Sequence, residues 1–248
     1  MDLHTWQWVV CAVGALGIGL SKTGIPGLGI LAVAMFAIAM PSRESVGVVL
    51  PILIVGDIIA VSFYRRHAVW SHLWRLFPAA AIGVVVGWWA LGKLNDTQVA
   101  RLIGVLLIVL VMLQAIKMWA DSRREKEADP KVHPLLAPAM GVVGGFATMV
   151  ANAAGPIMVL YLLAAGLPKM EFIGTGAWYF LIMNAFKVPF SVRLGLINPH
   201  SLPIDALLAP AVIVGAIFGR WVLHRIDQRL FERAALVLTL LAAVKLFL

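Results

Sequence analysis

The stretch Ser21-Lys22-Thr23-Gly24-Ile25-Pro26-Gly27-Leu28-Gly29 is a short polar and glycine-rich run between two apolar segments. Those segments, residues 6–20 and 28–40, are each shorter than the roughly 20 apolar residues that a helix needs to cross a bilayer. Such a run is typical of a broken membrane helix whose backbone lines a cavity instead of touching lipid. The sequence therefore predicts a helix break at residues 21–29, with a lysine inside it.

The composition supports a membrane setting for this break. The chain has 248 residues, of which 62% are apolar and only 13% are charged, whereas soluble domains carry about 25% charged residues. The net charge of +8 does not indicate nucleic-acid binding, because Lys and Arg accumulate in the loops of inner-membrane proteins. Histidines are scattered, the single cysteine (Cys11) lies in an apolar segment, and no catalytic motif is present. We therefore expect an all-α polytopic membrane protein with no metal, no cofactor and no enzymatic activity.

The order of apolar segments is the same in two parts of the chain. Residues 1–120 contain the broken pair and three full spans, at residues 45–64, 76–92 and 99–119. Residues 121–134 form the most polar stretch and read as a cytoplasmic linker. Residues 135–248 contain a second broken pair, at residues 135–149 and 156–167, and spans at residues 172–190, 204–223 and 231–248.

Residue identities support an internal duplication. Seven positions match or correspond at an offset of 127, and five at an offset of 132. The first set is Gly14/Gly141, Gly17/Gly144, Pro41/Pro168, Glu44/Glu171, Gly47/Gly174, Asp57/Asn184 and Phe63/Phe190, and the second is Pro78/Pro210, Gly83/Gly215, Gly87/Gly219, Trp89/Trp221 and Arg101/Arg233. Repeats with interrupted hydrophobic segments in matching positions are typical of secondary transporters. The glycine faces could pack helices within one chain or between the two copies of a homodimer.

The distribution of basic residues predicts the orientation. The loops at residues 65–75 and 121–133 are the richest in Lys and Arg and are expected in the cytoplasm. In the second half, the loop at residues 192–203 holds one arginine, and the turn at residues 223–233 holds three. This places the two halves in opposite orientations, as inverted repeats, with both termini on the periplasmic side of the inner membrane.

Lys22 is the most informative residue of the first break. A lysine within a membrane protein costs several kcal/mol unless it faces water, a partner or a ligand. It lies beside Ser21 and Thr23, and we expect backbone amides freed by Gly24, Gly27 and Gly29, together with the N-terminus of the next half-helix, to face the same point. This combination favours a small oxyanion. In the alternative interpretation, Lys22 only extends to the membrane interface.

The second break offers Thr148, Asn152 and Gly155 without a charge. Pro156 suits the first turn of a half-helix, so we expect a second helix N-terminus at the cavity. Asn152 either donates to an anion through its amide or only caps that helix.

Asp57, Asn184 and Lys187 lie within predicted full spans. A carboxylate in hydrocarbon needs a partner, and Lys22 and Lys187 are the candidates for Asp57. Such a pair could be purely structural, or it could couple proton binding to anion movement. Lys187 lies near the end of its span and could instead extend to the interface.

The motif Gly-x-Ser-Lys-Thr-Gly-x-Pro-Gly-x-Gly, the later break ending in Gly155-Pro156 and the two-fold repeat resemble the TauE/SafE family, the sulfite exporter or toluene-sulfonate uptake permease type of membrane protein. The resemblance covers nearly the whole chain. It implies a secondary carrier for sulfite or organosulfonates, coupled to protons or to the membrane potential. Many members carry a glycine triplet in the second repeat, where this chain has Ala151-Asn152-Ala153-Ala154-Gly155.

The leading hypothesis is therefore a carrier that binds a small anion between the two breaks near the bilayer midplane. A passive anion channel, a carrier of another small oxyanion or carboxylate, and a membrane-embedded enzyme or assembly factor are the alternatives. The sequence leaves the direction of transport open.

Overall fold

The computed structural model describes residues 3–24, 28–121, 135–222 and, near the C-terminus, 236–237, 239–241 and 243–247. Residues 3–24, 28–121 and 135–222 form nine α-helices and one 3₁₀ turn, Arg65–His67. The described residues between 236 and 245 are helical as well, and none of the described residues forms a strand. The helices are α1 (Thr5–Thr23), α2 (Leu28–Ala39), α3 (Ser42–Tyr64), α4 (Trp70–Lys93), α5 (Asp96–Asp121), α6 (Leu136–Ala151), α7 (Gly155–Ala164), α8 (Lys169–Arg193) and α9 (Leu202–Val222). The prediction of an all-helical membrane protein is confirmed.

Four helical segments of the described residues are long and apolar enough to cross a membrane: Ser42–His67, Trp70–Lys93, Asp96–Ile116 and Leu202–Trp221. They correspond to the three spans predicted in the first half and to one in the second. Helix α8 also has the length, at 25 residues, but its buried polar side chains make it less apolar than the others. Of the span predicted at residues 231–248, the structure describes residues 236–237, 239–241 and 243–247, and those up to residue 245 are helical.

The predicted basic loop at residues 65–75 is wrong in its second part. After the 3₁₀ turn, α4 already begins at Trp70, six residues before the predicted start of the span. Residues 70–75 contain neither proline nor glycine, so nothing in the local sequence stops the helix. Charge alone does not end a helix, since Lys and Arg are good helix formers.

Helices α2, α6 and α7 are the short members of the bundle, with 12, 16 and 10 residues. At 1.5 Å per residue, each is shorter than the roughly 30 Å thickness of the hydrocarbon core. Helix α1 has 19 residues and is longer than the apolar segment predicted at residues 6–20, because it continues through Thr23.

Helices of each half of the chain pack mainly against helices of the other half. Helix α1 packs on α9, α6 packs on α4, and α3 packs on α8. Gly83 of α4 lies so close to the Val142 carbonyl that a Cβ atom would be 2.1 Å from its oxygen, and Gly215 of α9 lies equally close to the Leu16 carbonyl, at 2.2 Å. These glycine faces therefore pack helices within the chain.

The apolar core consists of two main clusters. One is built mainly from α1, α2, α3 and α9 and includes Ile18, Phe36 and Ile52. The other is built mainly from α4 to α8 and includes Leu76, Tyr161 and Tyr179. Each cluster therefore joins helices from both halves of the sequence.

Candidate functional site

The first break is shorter than the sequence predicts. Ser21, Lys22 and Thr23 form the last turn of α1, and Gly24 donates its N–H to the Leu20 carbonyl. The amides around Lys22 are therefore bonded within α1, and the expectation that the amide at Gly24 is free is wrong. Unbonded N–H groups belong instead to the first turn of α2, where Gly29 lies. Gly27 lies outside the described residues.

The second break separates α6 from α7 and contains Asn152, Ala153 and Ala154. Asn152 ends α6 in a left-handed conformation with φ of 51°, which asparagine tolerates better than most residues. The N-terminal residue that flanks α7 is Ala154, with proline in the first turn as predicted. Asn152 therefore ends the preceding helix, and the alternative that it caps the following one is wrong.

The two breaks line one cavity of about 130 Å³. Its polar lining comes from both halves of the chain and comprises Ser21, Lys22, Thr23, Thr148, Asn152 and Asn184, with Gly24, Gly29 and Gly155 at the helix ends. The remaining wall is apolar and includes Ile18, Leu53, Met158, Leu162 and Phe180. A single water molecule needs about 10–15 Å³ of such space, so the cavity has room for a small anion and some water.

Lys22 does not extend to the interface, so that alternative is wrong. Its Nζ lies 2.6 Å from Asp57 Oδ1, and 11% of its side chain is exposed whereas Asp57 is fully buried. The same Nζ lies 4.3 Å from the ring centroid of Phe180, a cation–π contact. Asn184 donates from Nδ2 to Asp57 Oδ2 over 2.6 Å. Of the two candidate partners for Asp57, the structure selects Lys22.

The contact between Asp57 and Asn184 joins residues that are 127 positions apart, which is the offset of the predicted repeat. When two repeats are related by a two-fold axis, equivalent residues can touch only near that axis. If the predicted repeats have that relation, their axis passes between Asp57 and Asn184.

Lys187 is bonded to the second break and not to Asp57. Its Nζ donates to the Thr148 carbonyl (2.8 Å), the Thr148 hydroxyl (2.9 Å) and Asn152 Oδ1 (2.7 Å). Only 1% of its surface is exposed, so the prediction that it could extend to the interface is wrong. Asn152 in turn donates from Nδ2 to the Val46 carbonyl over 2.9 Å. Lys187 thus ties the C-terminal end of α6 to α8, and Asn152 ties it to α3.

The two hydroxyls beside Lys22 differ in their availability. Thr23 donates to the Ala216 carbonyl over 2.6 Å, and the Thr23 carbonyl accepts from the Tyr64 hydroxyl over 3.1 Å. Thr23 therefore fixes the end of α1 to α9 and lines the cavity without a free donor. Ser21 Oγ lies over Gly29, 3.0 Å from the point that a Cβ would occupy there. Ser21 therefore contacts the start of α2 from the end of α1.

The cavity therefore combines a cation with two helix N-termini, α2 at Gly29 and α7 at Gly155. N-termini of half-helices at the centre of a transporter point at anionic groups of the substrate. A small oxyanion could accept hydrogen bonds from these termini and from Lys22 while its apolar part contacts the hydrophobic wall.

The family model described as Sulfite exporter TauE/SafE matches residues 10–246, nearly the whole chain. The chain belongs to the TauE/SafE family. No curated protein and no solved structure gave a match to it. As a TauE/SafE protein, the chain is a multi-pass membrane protein from a family of transporters for sulfite- or sulfonate-type anions.

Membership in TauE/SafE does not identify the residues that bind the anion. Two features of the site were also missed at the level of sequence. The first is Phe180, which lies one helical turn before Asn184 on the same face of α8. The second is the set of acceptors around Lys187, since nothing in the sequence places α6 beside α8.

Proposed function

We propose that this chain is a secondary transporter that carries sulfite or a small organosulfonate across the bacterial inner membrane. The anion binds between the two helix breaks near the midplane, and alternating access exposes it first to one side and then to the other. The observation that carries this proposal is the single cavity lined by both breaks, with Lys22 in its wall.

Each group at the cavity has a role in this function. Lys22 supplies charge to the sulfonate or sulfite oxygens, and the amide groups at the start of α2 and α7 supply hydrogen bonds. Ser21 and Asn184 are close enough to the cavity to add polar contacts. Asp57, which does not line the cavity, holds Lys22 in place through the 2.6 Å ion pair. Protons or the membrane potential provide the driving force, and the two termini lie on the periplasmic side.

The test is anion flux into proteoliposomes that contain purified protein. Lys22→Met leaves Asp57 buried without its partner, so the double variant Lys22→Met/Asp57→Asn is measured as well, because it removes both charges and keeps the side-chain volumes. The matched control is Lys93→Met, which removes an exposed lysine that lies on Trp89 at 4.0 Å.

We expect wild type and Lys93→Met to take up sulfite or methanesulfonate with saturation and to exchange labelled for unlabelled anion. We expect both Lys22 variants to lose that flux while they remain folded. Undiminished flux in the double variant would exclude the role of Lys22. Flux without saturation or exchange would support a passive channel instead of a carrier.

A further inference from the structure

The buried basic and acidic groups around the cavity are unequal in number. Lys22 and Lys187 are basic, and Asp57 is the one carboxylate paired with either of them among the described residues. The four helix ends at the breaks contribute two positive and two negative dipole ends, which offset each other. Within the part of the chain that the structure describes, the cluster therefore carries at most one excess positive charge.

The excess charge depends on Lys187 being protonated, and its contacts fit that form. An ammonium group has three N–H donors and no acceptor. Lys187 Nζ is surrounded by three oxygen acceptors at 2.7–2.9 Å, all of them neutral. A neutral amine has two N–H donors and a lone pair, so it would make the same three contacts with the Thr148 hydroxyl donating to it. Asp57 therefore limits the excess to one positive charge at most, whichever form Lys187 takes.

Asp57 is held as a carboxylate by donors on both of its oxygens. Lys22 lies on Oδ1 and Asn184 donates to Oδ2, each at 2.6 Å. Asp57 is fully buried and is not among the residues that line the cavity. Its negative charge therefore acts on an anion in the cavity through the protein, where charges are screened far less than in water.

We propose that Asp57 makes this site selective for monovalent over divalent anions, by limiting the excess buried charge to one. This inference rests on the proposed function and names the class of substrate that it carries. A monovalent anion needs no more than the one positive charge that the cluster can supply. A divalent anion of the same shape leaves at least one negative charge uncompensated in a largely apolar cavity, which is costly. Asp57 is a specificity-determining residue here and does not need to touch the anion.

The experiment compares methanesulfonate with sulfate, two tetrahedral anions of similar size that carry one and two charges. Binding is measured with purified wild type, with Asp57→Asn and with the control Glu44→Gln, which removes an exposed carboxylate. We expect wild type and the control to bind methanesulfonate at least about tenfold more tightly than sulfate. In Asp57→Asn, we expect that ratio to fall at least about tenfold. The methyl group of methanesulfonate contributes equally in all three proteins, so the change in ratio isolates the charge.

A second measurement uses wild type alone, so it can still be made if Asp57→Asn does not fold. Methylphosphonate keeps its shape while it changes from a monovalent to a divalent anion as the pH rises, and methanesulfonate stays monovalent and reports any titration of the protein. We expect the affinity for methylphosphonate, relative to methanesulfonate, to fall as it becomes divalent. Equal affinities for methanesulfonate and sulfate in wild type, or an unchanged ratio in Asp57→Asn, would overturn charge selection alone. Binding of none of these anions would overturn both this inference and the proposed function.

Discussion

The ion pair between Lys22 and Asp57 is open to a quantitative test by a double-mutant cycle. Breaking a buried pair by removing one partner costs about 3–5 kcal/mol, because the other charge is left uncompensated. Asp57 has no exposed surface and Lys22 has 11%, so the two single variants should differ. We expect Lys22→Met to lose about 3–5 kcal/mol of unfolding free energy, and Asp57→Asn to lose about 1–3 kcal/mol because Lys22 can be hydrated from the cavity.

The double variant should recover much of the loss, because it leaves no charge without a partner. We expect a coupling free energy of about 2–3 kcal/mol between the two positions. Unfolding in mixed micelles, followed by the fluorescence of the nine tryptophans, would give all four free energies. The control is Lys93→Met, which we expect to lose no more than about 1 kcal/mol because its cation–π contact is at the surface.

The result that would refute this reasoning is additivity. If the double variant loses the sum of the two single losses to within about 0.5 kcal/mol, Lys22 and Asp57 do not stabilise each other. Equal losses in the two single variants would show that the cavity does not hydrate Lys22, and would contradict its placement in the cavity wall.

Three further predictions concern the packing around the cavity. Gly145→Ala should destabilise the protein by about 2 kcal/mol or more, because its Cβ would lie 2.0 Å from the Ala80 carbonyl oxygen. In Gly155→Ala the new Cβ has no atom within 4 Å, so this variant should keep its stability and bind the anion more weakly. Thermal melting measures the first effect, and binding titrations measure the second. Lys187→Met should lose about 2–4 kcal/mol of unfolding free energy and exchange anions more slowly, because three hydrogen bonds to the second break are removed. Partial recovery in Lys187→Arg would separate the effect of the lost charge from that of the changed side-chain shape. Thr23→Val should cost about 1 kcal/mol with nearly wild-type anion affinity, because its hydroxyl donates to α9; a large loss of affinity at unchanged stability would show that it binds the anion.

Much of the architecture follows from hydropathy and glycine spacing. The short helices α2, α6 and α7 and the three spans of the first half were predictable, because the length of an apolar segment is set by the thickness of the bilayer. Helix ends were less predictable, as the early start of α4 at Trp70 shows. The exact position of the first break was also missed, because serine, lysine and threonine can lie either in the last turn of a helix or in the loop that follows it.

The part of the site that could be predicted from the sequence is the part that the internal repeat pairs. The offset of 127 between Asp57 and Asn184 was visible in the sequence, and a hydrogen bond joins these two residues in the structure. The partners of Lys187 were not predictable, because they depend on which face of α8 meets the end of α6. The choice of Lys22 over Lys187 as the partner of Asp57 likewise depends on distances that no single helix determines.

The crossed packing of α1 on α9 and of α6 on α4 has a mechanical consequence. Each apolar cluster is assembled from pieces of both halves of the chain, so neither half contains a finished hydrophobic interior of its own. Helices α2 and α3 contribute to both clusters, so they join the two parts of the core. A half-chain expressed by itself would leave apolar helix faces uncovered, because the helices that cover them belong to the other half.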